Sequence, residues 1–550
     1  MGSALSCLKQ SQSPPIPSVV FERYFSFNRN TVTSLPPECL REIFEYLETK
    51  GSLYSCLLVN RSWCKVATPI LWKSPFKLSN GLSTESTKII QVYLTCLNRK
   101  SKQYLCNNGV ILPSNIIEGI SSPIFDYPSF LRELKFSDIY NGVSDWFSNV
   151  IGNLGDEQQT TFLKILITEQ LFKLFMNQCS TFDIISLSDI PYETPTPLLP
   201  FLTGSVNCFS RLKSFHCVSK HNNKSEIFRA ISQVSEFIET LEVGGVDHDM
   251  EVKALGVLIR AQKKLKKFKY TWDYQTKYQV VLSETLCALK SQSKFLTTIQ
   301  FEYCNFHHCN SMEALADFEN LEYIQFIHCI YIGDKMNSFT NAKFPRLKYV
   351  GFYTNYIESP RYWVCPDDVA ALIENCHNSL EQVLLPRTGN CTISSHKLVK
   401  ALRLCRNIKD LKIQMGEGDI EEFLEFLKNN ERLEKATLIC YGDSNIEYFF
   451  TKTNQLWPNT LSSLNLKGQW IISPEYLKTL LKECKSSIKQ LDLHSSHITD
   501  DHVGAVIEYV KEMRSAKKTT LHSCLISGER MSEEGRRKAR EFVNLTKIFL

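Results

Sequence analysis

Along most of this chain apolar residues recur in the pattern L-x-x-L-x-L, with Ile, Val or Phe standing in for Leu. Well-formed copies begin at Leu265, Leu296, Leu321, Leu347, Leu380, Ile408, Leu433, Leu461 and Ile488, at intervals of 31, 25, 26, 33, 28, 25, 28 and 27 residues. Weaker copies begin at Leu131, Phe182, Leu212 and Ile238. The 51-residue gap between Leu131 and Phe182 predicts a degenerate copy near Leu163, and a last faded copy is expected to end at Leu521. Inside each copy the x-L-x-L-x stretch alternates at period two, which marks a short strand with one buried face. Between strands the period turns helical, as in 368–374 and 474–481, where Ser473 stands in position to cap the helix.

Strand, turn and helix repeated every ~27 residues is the signature of a leucine-rich-repeat solenoid, an α/β horseshoe of parallel strands backed by helices. The region 130–550 is assigned to it. Three copies extend into the longer form, with Asn or Cys three residues after the last strand position: Cys304 then Phe306, Cys329 then Tyr331, Asn355 then Ile357. A fourth, starting at Ile488, has Ser496 in that place, followed by Ile498. A polar side chain there can satisfy backbone groups where the chain turns.

The residues flanking the buried pair in each strand should face the concave side. These are Tyr323, Gln325 and Ile327 in one copy, Tyr349, Gly351 and Tyr353 in the next, and Gln382, Leu384 and Pro386 in a third. Apolar and Tyr side chains clustered on a polar surface mark an interaction site, so Tyr323, Ile327, Tyr349, Tyr353 and Leu384 are the expected substrate-binding residues. Tyr349 and Tyr353 are the expected centre, because Gly351 between them leaves room for a ligand to approach the backbone. The copy at Leu265 presents Lys267, Lys269 and Thr271 instead.

The region 34–76 has a different period. Leu40, Ile43, Phe44 and Leu47 fall on one helical stripe, Pro37 suits a first turn, and Gly51 suits the helix end. Two further short helices are expected near 53–59 and 62–71. Three helices in about 40 residues bury little core, so surplus apolar side chains point to a partner surface. The run Leu35-Pro36, Leu40, Ile43-Phe44-Glu45-Tyr46-Leu47, then Cys56-Leu57-Leu58-Val59-Asn60-Arg61-Ser62-Trp63, then Pro69-Ile70-Leu71-Trp72 resembles an F-box. Cys39 and Asn60 depart from the family pattern, at a Leu and a Cys position respectively.

An F-box followed by leucine-rich repeats is a recognised family arrangement. The resemblance implies a non-catalytic substrate receptor of a Skp–cullin–F-box ubiquitin ligase. In that arrangement the F-box binds the Skp adaptor, and through it a cullin, while the repeats hold a protein target. It places adaptor contact on Leu35, Pro36, Leu40, Ile43, Phe44 and Leu47, and gives Trp63 and Trp72 a packing role. A scaffold or inhibitor using the same solenoid without ubiquitin transfer is the alternative.

Bulk composition narrows this picture little. The 550 residues are 43% hydrophobic and 22% charged, and 63 basic against 58 acidic residues give a net charge of +5. That is too weak and too dispersed for a nucleic-acid binder, and the basic run 263–269 reads as a solvated turn. The 20 cysteines are spread out, and no signal peptide or membrane-length apolar run is evident, so reduced thiols and a cytoplasmic or nuclear setting are expected. No cofactor or metal is called for. Cys304, His307, His308, Cys309, His328 and Cys329 match no closed zinc spacing, and His494, His497 and His502 read as surface residues. No catalytic motif is present. Met1-Gly2-Ser3-Ala4-Leu5-Ser6-Cys7 matches the N-myristoylation pattern, with Gly2 as acceptor and Cys7 as a second acylation site; both chains together would anchor the protein to a membrane. Beyond it, 1–33 reads as a flexible tail and 77–129 as a linker with a first repeat.

Overall fold

The computed structural model describes residues 35–548 apart from 48, 79–82, 118–122, 153–154, 189–204, 219–222, 247, 273–281, 308, 310–311, 355–363, 386–391, 446–451, 453–455, 484–487, 516–520 and 522. Gly2, Cys7, Asn355, Ile357 and Pro386 thus lie outside the described residues. Two compact units are present, Met1–Lys73 and Ser74–Leu550.

The first unit has three helices, α1 (Pro37–Glu45), α2 (Lys50–Val59) and α3 (Arg61–Trp72). Pro37 occupies the first turn of α1, where its missing N–H leaves nothing unpaired. Gly51 does not end a helix. It sits in the first turn of α2, whose start is fixed by Thr49 accepting the amide of Ser52 at 3.3 Å. Asn60 caps α3 by accepting the amide of Trp63 at 2.9 Å. The residue that departs from the family pattern therefore has a local role, since Asn is among the strongest N-caps. Both α1 and α2 pack on α3, burying Leu40, Phe44, Leu53, Cys56, Val66, Ala67 and Leu71. Phe44 meets Trp63 with ring centroids 5.0 Å apart.

The second unit is built on one open sheet of 14 parallel strands whose spatial order is their chain order. The strands are β1 (Glu133–Lys135), β2 (Ile184–Ser186), β3 (Ser214–Cys217), β4 (Thr240–Gly244), β5 (Lys267–Thr271), β6 (Thr298–Glu302), β7 (Tyr323–Ile327), β8 (Tyr349–Tyr353), β9 (Gln382–Leu384), β10 (Asp410–Gln414), β11 (Lys435–Asn445), β12 (Ser463–Ile471), β13 (Gln490–Ser495) and β14 (Ser523–Ser527). Sequential parallel pairing, with an α-helix or a 3-10 segment on most of the described returns between strands, is what a solenoid requires. The buried strand residues stack from repeat to repeat. Phe301, Phe326 and Phe352 stand in register, with centroids 5.7 and 5.2 Å apart and rings within 14° and 9° of parallel.

Buried glutamines link neighbouring repeats ahead of the strands. Gln262 accepts the amide of Ile238 at 2.9 Å and donates to the carbonyl of Ser235 at 3.0 Å. One repeat later Gln292 donates to the carbonyl of Gln262 at 2.8 Å. Cys304 and Cys329 hold the predicted turn position, their thiols facing the carbonyls of Tyr270 at 3.7 Å and Phe301 at 3.3 Å. In the copy at Ile488 this role falls to Ser495, not Ser496: Ser495 Oγ donates to the carbonyl of Trp470 at 2.9 Å. His502 is buried rather than superficial. Its Nδ1 accepts the amide of Thr499 at 3.1 Å, so Nε2 carries the proton that bonds the carbonyl of Ile472 at 2.7 Å.

Two repeat assignments change. No strand separates β1 from β2, which pair directly. The gap holds the helices Phe136–Val150 and Glu157–Gln178, and Leu163 is buried in the second. Leu163 and Leu166 are spaced i, i+3, which imitates the opening of a repeat, but Ile167 follows without alternation. The last copy begins at Leu521 instead of ending there, with Cys524 and Ile526 as its buried strand pair. The stretch 77–129 contains the helices Ser83–Cys96, Arg99–Asn107, Ser114–Ile117 and Tyr127–Phe130. The first of these packs closely on Phe136–Val150 through Gly142, where an added Cβ would come within 3.0 Å of Ile90 and Phe76.

Candidate interaction surfaces

In the three-helix unit the predicted adaptor residues divide. Leu40 and Phe44 are core, at 2% and 1% exposure, while Leu35 and Ile43 stand 48% exposed. Pro36 is also exposed and Leu47 is half-buried. A stripe four residues wide faces α3 on one side and solvent on the other, so part of it must hold the helix in place. The sequence reading missed Tyr46, Tyr54, Leu58 and Val59, all exposed. Six of the twenty-one large exposed apolar side chains among the described residues therefore fall within 35–59, a density that no other described stretch reaches. Hydrophobic surface concentrated on so small a unit is the usual mark of a docking site. Cys39 is exposed as well, so its departure from Leu leaves the core intact.

On the sheet, the register sets every predicted contact residue on the side opposite the buried Phe stack. Tyr323, Tyr349 and Gln382 form one row across β7, β8 and β9; Gln325, Gly351 and Leu384 form the next; Ile327 and Tyr353 pair in the third. Neighbouring residues bond each other. Tyr323 and Tyr349 stack with centroids 4.0 Å apart and planes 9° from parallel. The Tyr323 hydroxyl donates to Gln325 Oε1 at 2.6 Å, and Gln325 Nε2 donates to the Tyr349 hydroxyl at 2.8 Å. Burial, with the Tyr323 hydroxyl adjoining, pushes the pKa of Tyr349 well up, so the phenol stays protonated.

The space over Gly351 is not open. The ring of Tyr349 lies across it, and a Cβ built at Gly351 would fall 2.6 Å from that ring. Gly351 makes room for its own neighbour, and Tyr349 is only 8% exposed as a result. Tyr353 is 39% exposed, with Lys412 Nζ 5.0 Å from its ring centroid. Burial, reinforced by nearby Lys467, lowers the pKa of Lys412.

Beyond the strand ends lies an aromatic rim that the apolar pattern did not reveal. Tyr303 and His328 stack at 4.9 Å, and His328 meets Tyr353 edge-on at 5.2 Å. Tyr303 and His328 adopt left-handed backbone at φ 57° and 50°, as does Tyr331 at 58°. The next strand holds the first two there: Tyr303 N donates to the carbonyl of Ile327 at 2.7 Å, and His328 N to that of Tyr353 at 2.6 Å. Non-glycine residues kept in this region store strain of about 1–3 kcal/mol each and cluster at functional sites. Sequence alone offered one signal, Tyr or His directly after a strand where loops usually carry Gly or Asn.

The basic neighbour is largely neutralised. Lys269 pairs with Glu302 at 2.9 Å and Lys266 with Glu239 at 2.9 Å, and Lys263 pairs with Glu236. On β3 and β4, His216 Nδ1 lies 2.8 Å from Glu242, and this bond lowers the carboxyl pKa of Glu242. No group of three His, Cys, Asp or Glu able to hold a metal occurs among the described residues, and no described helix is long and apolar enough to cross a membrane. Burial raises the pKa of Cys304 well above that of a free thiol, in keeping with a structural thiol facing a carbonyl.

Comparison with known proteins agrees on the first unit: residues 32–78 match the model of the F-box-like family. No curated protein matches the chain. Among solved structures it is similar to the crystal structure of a TLR13–ssRNA13 complex, at 11% identity and a TM-score of 0.30, over 65% of this chain and 44% of that one.

Proposed function

We propose that this chain is the substrate-recognition subunit of a Skp–cullin–F-box ubiquitin ligase. The observation that carries the reading is the set of exposed apolar side chains, Leu35, Ile43, Tyr46, Tyr54, Leu58 and Val59, on a unit that matches the F-box-like family. Such a surface suits a helical adaptor, and the family's usual partner is the Skp adaptor, which links to a cullin. The repeat sheet holds the target, with Tyr353 as the exposed anchor and Tyr323, Ile327 and Leu384 around it. Tyr349 supports this set from beneath.

The chain acts by raising the effective concentration of a target near the ubiquitin-conjugating enzyme, and performs no bond chemistry itself. Its setting is the cytoplasm or nucleus, with a membrane-associated fraction where Gly2 and Cys7 carry acyl chains. Affinity purification of the full chain from cells, with mass spectrometry for adaptor, cullin and other proteins, tests this. Adaptor and cullin recovered together with a further protein support the receptor reading. Recovery of a repeat-bound protein without either subunit points to a scaffold or inhibitor.

A further inference from the structure

Four lysines along the sheet find a glutamate one repeat away: Lys266 meets Glu239, Lys269 meets Glu302 and Lys348 meets Glu322 at 2.9 Å each, and Lys409 meets Glu381 at 2.7 Å. Lys412, in the middle of β10, does not. Among the described residues no carboxylate lies within ion-pair distance of its Nζ, although the side chain is half-buried. Asp410, two residues earlier on the same face, stands opposite Lys435 of β11. Asp492, in the row of Lys412, is three strands away. It is also engaged: with its amide oriented to suit both neighbours, Asn465 accepts from Thr437 and donates to Asp492 at 3.1 Å each. What Lys412 does face is the ring of Tyr353, with Nζ 5.0 Å from the centroid, and Leu384, its register neighbour on β9. Lys467, exposed on β12, adds a second positive charge in place of a counter-charge.

We propose that this part of the sheet receives an acidic side chain of the bound protein, with its carboxylate on Lys412. A half-buried ammonium without a counter-charge has lost part of its hydration and regained only the face of one ring. A carboxylate arriving from outside offsets that loss, and the exposed charge of Lys467 favours its approach. A lysine is one compact charge without a fork, so a single carboxylate matches it. The partly exposed ring of Tyr353 and the half-buried Leu384 offer apolar area to the methylene groups that carry the carboxylate. The four paired lysines give no such opening, since each already meets its glutamate. That the protein bringing the carboxylate is a ubiquitination target rests on the receptor reading; the carboxylate site does not.

The test uses the full chain and C-terminally amidated degenerate peptide pools with Glu, Gln or Lys fixed at the centre. The Glu pool should be captured about tenfold better than the Gln pool, as a charge-assisted bond would give. Lys412→Met keeps the apolar stem and should erase that preference, Lys412→Arg should retain it, and Lys412→Glu should turn it toward the Lys pool. Lys269→Met, which removes a lysine already paired, should leave it unchanged. Removing a half-buried, unpaired charge should also leave the melting temperature of Lys412→Met equal to or above that of the native chain. A lower one would show the lysine serving the fold through Tyr353, against the proposal. The absence of a Glu preference, whether both pools bind equally or neither binds, overturns it, as does a preference that survives Lys412→Met. A Gln pool with a free C-terminus is the remaining probe: capture that follows the free terminus in place of Glu assigns the site to a chain end, against an acidic side chain. Adaptor recovery is scored separately. Glu preference without adaptor keeps the site and loses the receptor reading; adaptor without Glu preference does the reverse.

Discussion

The three-helix unit and the repeat sheet treat large side chains in opposite ways. In the first, Ile43, Tyr46 and Leu58 stand in solvent at 48%, 84% and 67% exposure. On the sheet, Tyr323, Gln325 and Tyr349 stack and hydrogen-bond to one another, and Tyr349 closes the space over Gly351. A repeat array can extend its core by adding units, so each displayed residue finds a neighbour one strand away. A unit of about 40 residues has no such reserve and leaves apolar area for another protein to cover. The first surface should thus bind through hydrophobic burial. The second is already satisfied and should bind through its few exposed anchors and rim.

The largest expected effect falls on the repeat core. Phe326 is buried between Phe301 and Phe352, and Phe326→Ala should destabilise the repeat unit by ~3–5 kcal/mol, read by urea unfolding. Target capture should suffer while adaptor capture persists; loss of both would tie the units together. Next comes the adaptor surface. Ile43→Asp with Leu58→Asp should weaken adaptor binding by ~2 kcal/mol or more, about thirtyfold, without changing helix content. Leu40→Asp, placed in the core, should instead unfold the three helices, visible as lost ellipticity.

On the sheet, Tyr353→Ala should cost about tenfold in target affinity, ~1.4 kcal/mol, at unchanged stability. Tyr349→Ala should also lower the melting temperature, because it removes the ring over Gly351 and leaves Gln325 short of a partner. If Tyr349→Ala proved neutral for stability, the self-satisfied picture of this face would fail. The smallest effect is at Asn60, whose replacement by Ala should cost ~1 kcal/mol through the lost cap of α3 and leave the adaptor surface chemically intact.

Much of this was legible in the sequence, for identifiable reasons. The L-x-x-L-x-L alternation fixes both strand position and facing, so the strands from β5 to β13 and the rows through Tyr323, Tyr349 and Tyr353 follow from it. The pattern misleads where helical spacing imitates it, as at Leu163 and Leu166. It also cannot say what fills a glycine's space, because Tyr349 reaches Gly351 through a side-chain rotamer. A stripe such as Leu40, Ile43, Phe44 and Leu47 likewise shows that a helix is amphipathic without saying which edge meets its own core and which awaits a partner. The left-handed rim at Tyr303 and His328 depends on contacts between repeats that no single repeat encodes.

The central claim is that the apolar surface of the three-helix unit is an adaptor-binding surface. It is tested most directly by titrating the full chain with purified Skp adaptor in a calorimeter, beside the Ile43→Asp, Leu58→Asp variant. The account predicts saturable one-to-one binding by the native chain, with a negative heat-capacity change from apolar burial, and at least thirtyfold weaker binding by the variant. No binding by the native chain, or equal affinity for both, would contradict it.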